Sequence, residues 1–221
     1  MVSDTPHTNP AYDKEISKMR DLLSGMEDTL RRQMADMQAA FADMDLQRTK
    51  EIRRNDSELN QMEMKASEQA MEILARYQPM AEDLRWVTGA FKTAIEYERI
   101  GDYLKNFAAS VATFVKHDES LKVFPSMAQM TSAVWRQFED YLSARAADSL
   151  DAAIAVWQRD AEIDDLFNAL VQKAMKNQQS GDGNVHSLVQ IILVANNLER
   201  TGDRVKNLVE IFYYQKTGMA L

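Results

Sequence analysis

The chain has 221 residues, with 26 basic and 34 acidic side chains and a formal charge of −8. It has no cysteine, which excludes a disulfide framework, a zinc finger or ribbon and a thiol nucleophile. A pI near 5.0 argues against a nucleic-acid binder that works by neutralising phosphates. The first fifteen residues carry no apolar core of the kind a signal peptide needs. The longest uncharged run, residues 183–198, is too short for a membrane span and is interrupted by Asn, His, Ser and Gln. Seven glycines and four prolines are less than half the roughly 12% share of an average globular protein. These features point to a cytoplasmic, mostly helical chain with room for one large domain or two small ones.

The first helical pattern covers residues 11–45. Its apolar positions Met19, Leu23, Met26, Leu30, Met34, Met37, Phe41 and Met44 recur at steps of three and four, the seam of a helix bundle. A second helix is expected over 47–77, with Leu59, Met62, Ala66, Ala70 and Ile73 inward. Pro79 marks a turn and suits the first turn of the next helix, which runs over 80–115. Ser126 is placed to cap a fourth helix ending near Ala147. A fifth follows over 151–177, a loop at QQSGDGN, and a sixth over 185–216 with Gly218 as its stop signal. Long helices joined by short turns pack antiparallel. The fold class is therefore all-α, in two tandem repeats, each an antiparallel three-helix bundle. The first spans 12–117 and the second 126–217, behind a polar tail at 1–11.

The two halves match residue by residue. At an offset of 104, Leu23, Met26, Leu30, Met34 and Met37 fall on Met127, Met130, Val134, Phe138 and Tyr141. At the same offset, DSELN at 56–60 falls on DAEID at 160–164. At an offset of 101, ERIGDYLKN at 98–106 falls on ERTGDRVKN at 199–207, with six of the nine positions identical. Such self-similarity marks an internal duplication.

The duplicated nine-residue element carries the candidate chemistry. Gly101 and Gly202 sit inside helices, where glycine costs about 1 kcal/mol relative to alanine. Either tight helix packing or room for a ligand would explain a weakness placed twice. Glu98 and Asp102 lie four apart on one helix face, and Asn106 extends the row. Glu199, Asp203 and Asn207 repeat it. The second helix offers Asp56, Asn60 and Glu63, and the fifth offers Asp160 and Asp164, with Phe167 in place of Glu63. Carboxylates crowded along a groove need cations. Arg99 and Arg200 point about 100° away along the helix, so metal ions are the other solution. An all-oxygen set suits Mg, Ca, Mn or Fe better than structural zinc.

At these residues the chain resembles a known family. ERIGD and ERTGD, together with RYQPMAEDLR at 76–85, are similar to the PhoU family of accessory regulators of bacterial phosphate uptake. The likeness runs from about Tyr12 to Gly218. It implies two similar three-helix bundles side by side and a multinuclear metal site on each, with iron, manganese, magnesium or zinc as candidates. The implied ligands are Asp56, Asn60, Glu98 and Asp102 in the first half, and Asp160, Asp164, Glu199 and Asp203 in the second. The resemblance further implies a non-enzymatic adaptor, cytoplasmic and held at the membrane through its partners. Those partners would be the ATPase subunit of a phosphate ABC transporter and a membrane sensor histidine kinase, which the adaptor keeps from activating phosphate-starvation genes. A homodimer is expected. Phe167 makes the two metal sites unequal.

Two other classes remain in view. A metal-dependent hydrolase or oxidase would use the same carboxylates, although the ferritin-like version needs Glu-x-x-His pairs that are absent around His7, His117 and His186. All three histidines are expected at the surface. A structural helical-bundle scaffold would leave the acidic rows solvated and turn its methionines towards partners, but their regular spacing reads as core.

Overall fold

A computed structural model describes residues 9–42, 56–117, 123–179 and 185–221. Among the described residues there are seven α-helices and no strand: α1 (Pro10–Ala42), α2 (Asp56–Tyr77), α3 (Ala81–His117), α4 (Phe124–Ala146), α5 (Leu150–Gln158), α6 (Asp160–Gln179) and α7 (Val185–Thr217). The expected fold class holds. Helices α1, α2 and α3 pack on one another, and α4 to α7 form the second bundle. No helix among the described residues is long and apolar enough to cross a membrane.

The expected seams are the cores. Met19, Met26, Leu30, Met34 and Met37 are fully buried, as are Met127, Met130, Val134 and Phe138 at the duplicated positions. Each methionine removed from water is worth about 1.5–3 kcal/mol, so the first helix uses its methionines as core. On the second helices, Leu59, Ala66 and Ala70 are buried, as are their counterparts Ile163, Leu170 and Ala174. Met44, the loop at 180–184 and the polar tail as far as residue 8 lie outside the described residues, as do residues 47–55 of the expected second helix.

The halves meet like with like, as a twofold relationship requires. Helix α3 packs on α7 along most of their length, and α1 packs on α4. Across this junction Arg31 makes two hydrogen bonds to Glu139, at 2.9 and 3.2 Å. Deeper in, Arg145 pairs with Glu27, and the Tyr97 hydroxyl donates to the same Glu27 oxygen at 2.9 Å while accepting from Arg145 at 2.9 Å.

Three local expectations need correction. Ser126 is not the cap of α4. The N-cap is Val123, which makes no side-chain cap, with Pro125 in the first turn, and Ser126 instead accepts from Lys173 at 3.0 Å. Pro79 stands ahead of α3 rather than in its first turn. Its predecessor Gln78, where the proline ring disfavours the right-handed helical conformation, takes a left-handed φ of 46°. The expected fifth helix is two helices. Ser149 caps α5 by accepting from the Ala152 amide at 3.3 Å. Arg159 then interrupts the run and holds Asp140 at 2.6 Å. The interruption makes Asp160 the first residue of α6, where the unpaired amides of a helix start favour a carboxylate.

Candidate functional site

The second groove is built by α6 and α7. Asp160 and Asp164 lie one turn apart on α6, and Glu199 and Asp203 one turn apart on α7. Asp160 is buried, Glu199 and Asp203 are half-buried, and Asp164 is exposed. Burial raises the Glu199 carboxyl above its ordinary range, and Asp203, Asp164 and Asp160 raise it further. Asp203 is raised by burial and then by Asp160, against the pull of Arg204 and Lys206. The four carboxylates predicted for this half therefore share one electrostatic field. They do not converge on a point. Among the described residues, no three acidic or histidine side chains are gathered closely enough to hold a metal ion.

A cation within the protein already serves this groove. Lys206 places its Nζ 3.2 Å from Asp160 Oδ2 and 4.9 Å from the centre of the Trp157 ring. Burial would lower the Lys206 ammonium, but its hydrogen bond to Asp160 and the charges of Asp160, Asp203 and Glu210 raise it overall. Phe167 turns its ring to the core instead of offering a carboxylate.

The first groove follows the same plan on α2 and α3. Glu98 and Asp102 are half-buried and Asn60 is exposed. Asp56 is the first described residue of α2, but its side chain lies outside the described residues. Lys105, the counterpart of Lys206, stands 3.6 Å from Asp102. His186 is exposed as expected, whereas His7 and the His117 side chain lie outside the described residues.

The duplicated glycines are answered by packing. A Cβ on Gly101 would meet Leu59 Cδ1 at 2.4 Å, and one on Gly202 would meet Ile163 Cδ1 at 2.9 Å. Leu59 and Ile163 are themselves duplicates at the offset of 104. Behind each lies a glutamine that the sequence reading passed over. Gln33 Oε1 is 3.8 Å from the Gly101 Cβ position, and Gln137 Oε1 is 3.3 Å from that of Gly202. Gln137 donates to Asp160 Oδ1 at 3.3 Å, and its own Oε1 has no partner among the described residues. Gln33 is 0% exposed, and neither amide atom has a partner there. Each such atom costs about 1–3 kcal/mol. A signal existed: the same polar residue recurs 104 positions apart on a seam of apolar ones.

Another residue that the sequence reading passed over, this one without a sequence signal, is Glu96, buried on α3. It accepts from Arg99 at 3.2 Å, and across the junction from Arg204 at 3.3 Å and Asn207 at 3.2 Å. Asn207 thus faces the other half, and Arg99 pairs with Glu96 rather than with the paired acids of its own element.

Comparison with known proteins agrees with this architecture. The model of the PhoU domain matches residues 23–111 and again 127–212. A phosphate-specific transport system accessory protein PhoU homologue from Caulobacter vibrioides is 30% identical over 217 residues, covering 98% of this chain and 94% of that protein. A homologue of the same description from Pseudomonas aeruginosa is 28% identical over 97% of this chain and 88% of its own length. The crystal structure of PhoU from Pseudomonas aeruginosa superposes with a TM-score of 0.89 at 28% identity, over 94% of this chain and 100% of that one. With two family domains matched along most of its length, this chain belongs to the PhoU family.

Proposed function

We propose that this chain is a metal-binding regulatory adaptor of phosphate-specific uptake. In this reading it holds off the phosphate-starvation response by linking the ATPase subunit of a phosphate transporter to a membrane sensor histidine kinase. It works in the cytoplasm, reaches the membrane through these partners, and acts as a homo-oligomer, most simply a dimer. The accessory role rests on relatives named for the phosphate-specific transport system, which align along nearly the whole chain.

The observation that carries the metal part is the field shared by Asp160, Asp164, Glu199 and Asp203, in which burial and then the neighbouring carboxylates raise the Glu199 and Asp203 carboxyls. The chemistry of the donors supports a hard cation in three respects, while their positions do not converge on a point. The donors are oxygens on two adjacent helices, a buried amide oxygen beside them lacks a partner, and the glycine beside it leaves that oxygen space. Asp56, Asn60, Glu98 and Asp102 would hold the first multinuclear site, and Asp160, Asp164, Glu199 and Asp203 the second. A divalent cation bound there supplies the positive charge that this field lacks. The protein's own contribution is to fix the two helices of each groove against one another, and through Glu96 to tie the second groove to the first bundle. The reading involves binding and not turnover.

The test is a phosphate-starvation reporter in high phosphate. Deleting the gene should switch the reporter on, the wild-type gene should silence it, and a gene carrying Glu98→Gln, Asp102→Asn, Glu199→Gln and Asp203→Asn should fail to. A reporter that stays silent after deletion refutes the regulatory role. Silencing by the quadruple variant refutes the metal part.

A further inference from the structure

We propose that the cleft between the two halves binds a small phosphate ester, whose phosphate is held by Arg20, Arg145 and Lys216 and whose organic body lies against Trp86 and Phe212. The inference does not depend on the metal reading above, since the cleft and the acidic grooves have no residue in common.

The cavity is the first argument. It has a volume of about 310 Å³ and takes its walls from both halves, α1 and α3 on one side and α4 and α7 on the other. Cavities of this size take small organic ligands when apolar walls are joined by a few polar groups. Here Leu23, Trp86, Ala90 and Phe212 supply the apolar wall, and Arg20, Arg145 and Lys216 line it from three different helices.

Arg20 carries the second. Its guanidinium lies over the Trp86 ring, 5.5 Å from the ring centre, and it makes no ion pair among the described residues. Contact with the ring face restrains the planar group while using none of its N–H donors. A guanidinium held in this way on a cavity wall is prepared for an oxyanion, which it can meet with two parallel hydrogen bonds.

The third is the charge that the wall leaves over. Three cations face two carboxylates, Asp148 and Glu82. Asp148 pairs with Lys216, and Glu82 is exposed. Arg145 is engaged by Glu27 and by the hydroxyls of Tyr97 and Tyr141, which do not use all five of its N–H donors. Donors arriving from three helices suit a tetrahedral phosphate, whose terminal oxygens point in different directions, better than a planar carboxylate. Inorganic phosphate alone would leave Trp86 and Phe212 uncovered, so the ligand carries an organic body. Such a ligand touches both halves, and Arg145 also ties them together through Glu27, so occupancy of the cleft is coupled to how the halves are joined.

The full chain in chelator-treated buffer carries the test. Phenyl phosphate and AMP are titrated by calorimetry, with inorganic phosphate and phenol as controls for the two parts of the probe. Trp86 emission is followed in a W135F/W157F background. At least one ester should bind saturably at millimolar concentration or below and change the Trp86 emission, and each control should bind at least about tenfold more weakly. R20Q and K216Q should each weaken that ester about 10- to 100-fold, the worth of one hydrogen bond to a charged group, while R20Q keeps the wild-type melting temperature. Arg145 stays unchanged because buried Glu27 depends on it. E199Q/D203N should bind the ester as the wild type does, and loss of binding in that variant overturns the inference by moving the anion to the acidic groove. It is also overturned if neither ester binds saturably, if R20Q and K216Q leave binding unchanged, or if inorganic phosphate binds as tightly as the esters.

Discussion

Lys206 and Asp160 form an ion pair at 3.2 Å between α7 and the start of α6, with the carboxylate buried and the ammonium resting against Trp157. The pair places one internal positive charge among four carboxylates. Lys206→Met should therefore destabilise the metal-free protein by about 1–2 kcal/mol, between the values for exposed and for fully buried pairs. Added Mn2+ should then raise the variant's melting temperature more than the wild type's, because metal replaces the missing charge. Equal metal-free melting temperatures would show that the pair carries no such weight.

The raised carboxyls of Glu199 and Asp203 make a prediction with a definite sign. Their folded-state values lie above the ordinary 4.5 and 3.8, so the folded protein binds more protons than the unfolded one just above that range. The stability they contribute is present below those ordinary values and is lost as pH rises through the folded ones. In metal-free protein, E199Q/D203N should be more stable than wild type at neutral pH, and the gap should close as pH falls towards 4. Glu15 and Asp148 are lowered instead, by hydrogen bonds to Lys18 and Lys216 respectively. Their contribution is lost at low pH in both proteins and cancels in the difference. Urea unfolding across pH 4–8 reads the gap, and one that widens on acidification would contradict the assignment.

The two duplicated glycines should respond unequally to alanine. Gly101→Ala sets a Cβ 2.4 Å from Leu59 Cδ1, whereas Gly202→Ala meets Ile163 Cδ1 at 2.9 Å. Alanine returns about 1 kcal/mol of helix propensity, and overpacking costs about 1–3 kcal/mol. Gly101→Ala should lose about 1–2 kcal/mol and Gly202→Ala should stay near neutral. Thermal melts of both variants, and of Gly101→Ala with Leu59→Ala, check this. The pair of changes at the first site should cost less than the sum of the singles.

The Glu27–Arg145–Tyr97 group predicts strong coupling across the two halves. Burial would pull the Arg145 guanidinium down, but Tyr97, Tyr141 and Glu27 hold it above its ordinary value. Arg145→Met leaves Glu27 buried without its cation and should cost about 3 kcal/mol. Glu27→Met combined with Arg145→Met should recover much of that loss. Denaturant midpoints of the three variants decide it, and additive losses would show that the two charges do not interact.

Much of this was legible in the chain. The four-and-three spacing of Met19 to Met37 fixed helix and buried face together, because an α-helix returns to one side every 3.6 residues. Duplication was legible too, since two copies with the same core need the same apolar positions. The break at Arg159 was not. Residues 150–179 contain neither glycine nor proline, and the interruption accompanies a tertiary pair with Asp140. Glu96 was equally silent, because its partners Arg204 and Asn207 lie more than 100 positions away.

The sequence by itself determined the helices, the repeat, the family and which carboxylates share a face, all consequences of local periodicity. Only the tertiary structure decided what stands behind those faces. It closed Leu59 and Ile163 onto the two glycines, set a glutamine behind each, and brought Lys206 rather than Arg200 to the acidic row of α6. The formal −8 thus resolves into unequal environments, with Lys206 on a buried Asp160 in one groove and Lys105 on a half-buried Asp102 in the other. Burial and distance between helices set those energies, and both come into being only when the bundles close.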